Sequence, residues 1–312
     1  MTELILKRVA AGLAIVFAAT AFIFILANGI GDPAVATLGP NASPERRQEF
    51  RVEHGLTDPL PVQFGRYVGA AVQGDLGRSF RDNQPVTTVI ANRLPRTVLL
   101  MGMAMSFQLL FGLALGILAA LRRNTWFDTG FMGLAFLGIS IPSFVSGPIL
   151  LMVVAFRLGW FPIGGYGVTA LDHVVHALLP ALTMAIIGTA TFARIMRSEM
   201  VDTLGEDYVR TAKAKGLHPA RVVLSHAARN ALLPIVTLLG LRLPFLVAGA
   251  IITEEVFNWP GMGRLVIESI TSLDVPVIMG VVVITAVAVQ IGNIFADVAV
   301  GLLDPRVRQA RG

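Results

Sequence analysis

The sequence predicts an all-α polytopic membrane protein with six transmembrane helices. Three observations carry this. Only 14% of its 312 residues are charged, against ~25% in ordinary soluble domains. Mean hydropathy is +0.71 and 54% of residues are hydrophobic, which points to a bilayer as the solvent. Finally, six apolar runs approach the ~20 residues that a spanning helix needs. The formal charge of +5 then bears on which loops face the cytoplasm, and it does not call for nucleic acid as a partner. With no cysteine, the chain has no disulfide framework, thiol chemistry or Cys-based metal site.

The runs are Val9–Ala27, Thr97–Leu121, Gly130–Phe156, Ala177–Ala193, Ala231–Thr253 and Val275–Ala296. Five contain no charge, and the fifth contains one, Arg242. The first follows Lys7 and Arg8 as a signal peptide would. Its apolar stretch, however, exceeds the usual ~7–15 residues, so it reads as a retained anchor. Pro142 and Pro148 are expected to kink the third run, and Pro180 blurs the edges of the fourth. With the N-terminus inside, inner segments carry Lys7, Arg8, Arg122, Arg123, seven Lys or Arg in 194–230, and Arg306, Arg308 and Arg311. The two short outer loops carry only Arg157 and Arg264. The first outer loop, 29–96, is longer than the ~60 residues over which the positive-inside rule operates, so its arginines are discounted. Both termini are therefore expected in the cytoplasm.

That long outer segment has signals of soluble structure. Ser43, Pro44 and Glu45 form an N-cap, an N1 proline and an acidic first turn, and Gly55 would stop the helix they start. Leu60–Gln73 reads as a second helix with Pro61 near its start and Gly74 beyond its end. The segment serves either as a small cap or as a surface receiving a delivery protein.

The inner loop 194–234 is helix-forming and charged throughout. Glu206 and Asp207 stand near the start of a short helix, and Lys213 and Lys215 near its end, an order that complements the helix dipole. Gly216 suits a left-handed C′ position with Leu217 as the hydrophobic contact after it. Pro219 suits the first turn of the next helix. Tyr208, Thr211, Ala212 and Lys215 fall on one face, where small residues would let a partner approach. A helix of ~10 residues is marginal alone in water. It must pack against a protein or lie on lipid head groups, and the residues alone leave both open.

DYVRTAKAKGL at this loop, followed by ARNALLP, resembles the EAA loop of permease subunits in ABC importers. LTDPLPVQFGRYVGAAVQGDLGRSF at 56–80, NRLPRTVLL at 92–100, EEVFNWPGMGRLVIESI at 254–270, DVPVIMG at 274–280 and DPRVR at 304–308 are similar to the first permease of the dipeptide, oligopeptide and nickel importers. The family loop opens Glu-Ala-Ala. Here Arg210, Thr211 and Ala212 take those places, with Gly216 in position and a longer interval to Leu233-Pro234.

The resemblance implies a type I importer permease of MetI-like fold in the cell membrane. It implies an anchor at 1–28, an extracytoplasmic segment at 29–93, a five-helix permease domain at 94–305 with its coupling loop at about 194–230, and a cytoplasmic tail at 306–312. It further implies a homologous second permease, two cytoplasmic ATPase subunits, an extracytoplasmic substrate-binding protein and surrounding lipid. ATP and Mg would be bound by the ATPases, with no cofactor on this chain. Coupling would run through Glu206, Asp207, Tyr208, Arg210, Thr211, Ala212, Lys215 and Gly216. Peptides are the default solute, with nickel complexes or another small solute as alternatives.

The remaining candidates are weaker. A charge at a helix centre costs ~2.5–3.5 kcal/mol on insertion scales, so Arg242 should face protein or water. It reads either as a pathway residue or as a structural one beside the helix-distorting Pro244. Glu254 and Glu255 would form a gate, touch the binding protein or mark a solvated edge. Trp259 is expected at the membrane interface. His173 and His176, at i and i+3, lack further ligands for a metal site. Met101, Met103 and Met105 alternate and so cannot share one helical face; they read as filling. The chain has no G-x-x-x-x-G-K-[ST] loop, no H-E-x-x-H and no G-x-S-x-G, so it reads as a non-catalytic subunit. An ion-coupled transporter would favour acidic residues within the spans, and the six runs contain none.

Overall fold

The computed structural model describes residues 2–242, 246 and 250–303. The expected tail, the DPRVR motif and Pro244 lie outside these residues. The described chain is helical, with a single isolated antiparallel bridge between Arg78 and Pro85. Five stretches are long and apolar enough to cross a membrane: Leu6–Gly29, Val86–Leu121, Ala170–Leu204, Pro219–Gly240 and Val275–Ile294. They fall in helices α1 (Thr2–Ile30), α5 (Val86–Leu121), α8 (Ala170–Leu204), α11 (Arg229–Arg242) with the turns before it, and α14 (Val275–Leu303).

The remaining apolar run, 130–156, is not one helix. It is divided between α6 (Trp126–Ser140), α7 (Ser143–Leu150) and a π-helical turn, Leu151–Arg157. The break falls at Ile141, whose φ of −91° and ψ of 115° are extended, as the residue before a proline prefers. Pro142 thus interrupts the run outright. Pro148, inside α7, contributes no N–H to the ladder just before the π turn.

Short helices follow α1. They are α2 (Pro33–Leu38), α3 (Pro44–Glu53) and α4 (Leu60–Val72). The cap signals hold for two of them. Ser43 Oγ accepts from the Arg46 N–H at 3.3 Å to start α3, and Gly55 and Gly74 take φ of +64° and +86° beyond the ends of α3 and α4.

The chain folds as two compact units: residues 1–98, 247–251 and 260–294, and residues 99–246, 252–259 and 295–312. In the first, Leu76, Val86, Val89, Ile90, Met262, Leu265, Val277 and Val281 form the core. Polar ties surround it. The buried Asp274 carboxylate accepts from Ser79 Oγ (2.5 Å), the Phe80 N–H (3.1 Å) and the Arg81 N–H (3.4 Å). The buried Thr97 Oγ1 accepts from the Met262 N–H at 2.7 Å, opening helix α13 (Met262–Thr271). Glu268 accepts from both Arg93 (3.3 Å) and Arg264 (2.8 Å). Tyr67, on α4, lines a cavity of about 460 Å³. Its hydroxyl is buried without a hydrogen-bond partner among the described residues, and burial pushes the phenol pKa up.

In the second unit α5 lies close against α8. A Cβ at Gly116 would stand 2.7 Å from the Ala193 carbonyl oxygen, and one at Gly112 would stand 2.6 Å from Phe192 Cβ. This small-xxx-small spacing lets two membrane helices touch along their backbones. Around it, Phe192, Met196 and Met200 of α8 are buried with Ala120 and with Ala227, Ala228, Ala231 and Ile235. Trp259 is fully buried among Leu100, Ala104, Ala177 and Ala181, with the Tyr166 ring edge-on at 5.1 Å. The interface position expected for it is therefore wrong. After helix α12 (Ile251–Val256), Asn258 turns the chain at φ +52°. The Trp259 N–H donates to the Glu254 carbonyl at 2.7 Å, which aims the indole into the core.

Candidate functional site

The elbow between α8 and α11 is the most fully specified loop in the described chain. α8 starts with a capping box between Thr169 and Asp172 and runs for 35 residues. Near its far end Arg197 donates to the buried Asp128 of α6 through two bonds of 2.5 and 2.6 Å. Such bidentate pairing fixes direction as well as distance. Gly205 ends α8 with its N–H on the Asp202 carbonyl. Glu206 turns extended, at φ −69° and ψ 148°, as the N-cap of α9 (Asp207–Ala214).

The end of α9 closes as the sequence predicts. Gly216 takes φ +73°. Its N–H donates to the Lys213 carbonyl at 3.0 Å and the Leu217 N–H reaches Ala212 O at 3.4 Å. These two bonds are the Schellman pattern, which satisfies carbonyls that the helix end leaves open. His218 Nδ1 accepts from the Ala220 N–H at 3.3 Å, so α10 (Pro219–Arg221) begins at Pro219. A π-helical turn, Val222–Ala228, then leads into α11. The rod from Pro219 to Arg242 is continuous, though its backbone register changes once.

Two residues anchor α9. Val209 and Ala212 are buried on Val222, with Leu204 and Leu217 packed beside them. Fully burying a valine side chain stabilises by ~1.5–3 kcal/mol, enough to hold a helix of this length that would melt alone. The Asp207–Arg210 pair, at 3.5 Å on the surface, adds little. Asn230 Nδ2 donates to Tyr208 Oη at 2.7 Å and to the His226 carbonyl at 3.3 Å.

Of the eight residues predicted for coupling, Glu206, Asp207, Tyr208, Arg210, Thr211, Lys215 and Gly216 are exposed together on this elbow. Ala212 is the correction. It belongs to the buried stripe with Val209. Its small side chain admits this chain's own π turn, so it leaves no room for a partner there. Val209, Ala212 and Val222 were the apolar signal for that contact. Asn230 and the Asp128–Arg197 pair gave no signal that singled them out.

The other candidates lie elsewhere. Arg242 is half-buried at the far end of α11, roughly 18 Å along the axis from Asn230 at ~1.5 Å per residue. Its guanidinium carbon sits 5.6 Å from the centroid of the buried Phe192 ring, a cation–π distance. Glu254 is fully buried and Glu255 exposed, so the pair is neither a uniform edge nor a uniform gate. His173 Nδ1 lies 2.9 Å from the Tyr166 carbonyl and His176 Nδ1 lies 2.7 Å from the Asp172 carbonyl. No three potential metal ligands cluster among the described residues.

Helices long and apolar enough to span a membrane, with an ordered and exposed elbow between two of them, are features of a multi-pass membrane protein. Comparison with known proteins agrees. Residues 112–309 match the binding-protein-dependent transport system inner membrane component, and residues 1–101 match the N-terminal portion of such membrane components. The chain is 38% identical to the oligopeptide transport system permease protein AppB of Bacillus subtilis, over 98% of this chain and 99% of that one. It is 39% identical to the glutathione transport system permease protein GsiC of Escherichia coli O6:H1, over 99% of each. The chain belongs to the binding-protein-dependent inner membrane component family. It is a permease subunit of an ABC importer, a multi-pass membrane protein that works with a substrate-binding protein and an ATPase.

Proposed function

We propose that this chain forms half of a translocation pathway for peptides or closely related small solutes, opposite a homologous second permease. Two ATPase subunits would stand beneath the pair, and an extracytoplasmic binding protein would deliver solute from above. The relatives' names favour peptides and glutathione over nickel. ATP and Mg would be held by the ATPases, with no cofactor on this chain, whose sequence carries no G-x-x-x-x-G-K-[ST] loop. Both termini are cytoplasmic in this reading.

The observation that carries it is the construction of α9. A helix closed by a Schellman turn, clamped through Val209 and Ala212, and bare on its remaining faces is built to be pushed upon. We assign Glu206, Asp207, Tyr208, Arg210, Thr211, Lys215 and Gly216 to the surface that meets the ATPase, and Ala212 to the anchor behind it. Closure of the ATPase pair on ATP would draw the elbow sideways, and the rod from Pro219 would carry the motion into the span as a rigid body. Arg242 is then a candidate lining residue held over Phe192. Glu255 is a candidate gate, and Glu254 a buried support.

The test is purification of the tagged, full-length chain from its native membrane. A homologous permease and an ATPase should come down with it in stoichiometric amounts. Solute uptake by this chain reconstituted without either partner would overturn the proposal.

A further inference from the structure

The rod proposed to transmit motion changes its hydrogen-bond pattern partway along. The π-helical turn Val222–Ala228 is a wide turn of i→i+5 bonds, a geometry rare in proteins and frequent at functional sites. It runs from Val222, which holds α9, to Ala227 and Ala228, which are buried with Ala231 and Ile235 of α11. A push on α9 that merely flexed this turn would never reach the span.

One side chain bridges the turn. Asn230, in the first turn of α11, donates to Tyr208 on α9 and to the carbonyl of His226 inside the π turn. Both acceptors are oxygens, so the amide can serve them only with its nitrogen facing them. Because the tie runs directly from residue 208 to residue 230, it spans the π turn. We infer that Asn230, through the Tyr208 hydroxyl, is a positioning residue that braces the elbow against the span, so that ATPase movement is transmitted instead of absorbed at Val222–Ala228. This rests on the docking role of α9 given above. Tyr208 is 42% exposed, so water competes with the bond in the chain alone. Covering by a docked protein would exclude that water and strengthen it.

The experiment uses the assembled importer in lipid vesicles with the other subunits made cysteine-free. This chain has no cysteine of its own. Ile252→Cys, on an exposed position of α12, reports movement through its rate of maleimide labelling with ATP plus vanadate relative to no nucleotide. Tyr208→Phe and Asn230→Leu should each shrink the ATP-driven change by about two- to tenfold, the factor that loss of one hydrogen bond brings. ATPase binding should stay intact in Asn230→Leu, because Asn230 lies outside the surface assigned to the ATPase. The double variant should lose no more than the worse single one. Asn230→Asp should restore the change, because the tyrosine hydroxyl can turn and donate to a carboxylate. It should restore nothing in the Tyr208→Phe background. Full ATP-driven labelling in both single variants, or losses that add, would overturn the brace while leaving the docking role standing. An ATPase that remains bound when residues 207–215 are replaced by glycine and serine would overturn the docking role itself.

Discussion

The Asp274 latch and the α9 elbow are both segments fixed by short polar sequences, yet they are fixed in opposite ways. At the latch a buried carboxylate gathers one hydroxyl and two backbone N–H groups from a loop 193–195 residues away. All three bonds converge on that one carboxylate. At the elbow two small apolar side chains do the anchoring, and the charged and hydroxyl groups of α9 face outward. Buried charge held by several donors specifies one arrangement at high cost to any alternative. Apolar anchoring under an exposed polar face leaves a surface for another protein to read. The latch motifs GDLGRSF and DVPVIMG therefore serve this chain's own fold, whereas the elbow motif keeps its polar groups outward, as the proposed docking role requires.

The largest effect should come from the latch. Asp274→Ala leaves the Ser79 hydroxyl and two N–H groups without their acceptor, a loss of ~3–9 kcal/mol at ~1–3 for each of the three. Thermal unfolding of the purified chain should shift down by several degrees, and protease should newly cut near residues 79–82. A melting curve matching wild type would show that the latch is incidental.

Gly216→Val should come next and should act on coupling rather than on stability. A Cβ there meets no atom within 4 Å, so the cost is purely conformational, ~1–2 kcal/mol for an L-residue in the left-handed region. The β-branched side chain opens the Schellman turn and frees the end of α9. Membrane levels should hold while solute uptake falls well below half. Unchanged uptake would remove Gly216 from the mechanism.

The smallest effect sharpens the contrast from the first unit. Tyr67→Phe deletes a buried hydroxyl that has no partner among the described residues. Thermal stability should rise by ~0.5–1 kcal/mol. A fall of that size would mean that the hydroxyl is satisfied within the assembly.

What was legible in the sequence follows the range of the interactions involved. Caps are local, so Ser43, Gly55, Gly74, Gly216 and Pro219 announced their helix ends correctly. Hydropathy located five spans because each needs only its own residues. The break at Ile141 was legible as a bend but not as an interruption, since what a proline does to a helix depends on the packing around it. The π turns at Leu151 and Val222 leave no mark in composition. Partnerships across distance were invisible: Asp128 with Arg197 lies 69 residues apart and Ser79 with Asp274 lies 195. Trp259 misled because the general preference of tryptophan for interfaces loses to a local turn at Asn258 that drives it inward. Ala212 misled because its small side chain read as room for a partner, although with Val209 it forms the apolar stripe that anchors the helix.

The central claim is that α9 is covered by an ATPase in the working importer. Lys215 is exposed on its C-cap, and Lys215→Cys introduces a unique thiol into this cysteine-free chain. Labelling of that thiol with a membrane-impermeant maleimide, in inside-out vesicles, should be rapid when the ATPase is stripped away and should slow at least tenfold when it is restored. Equal rates with and without the ATPase would contradict the account.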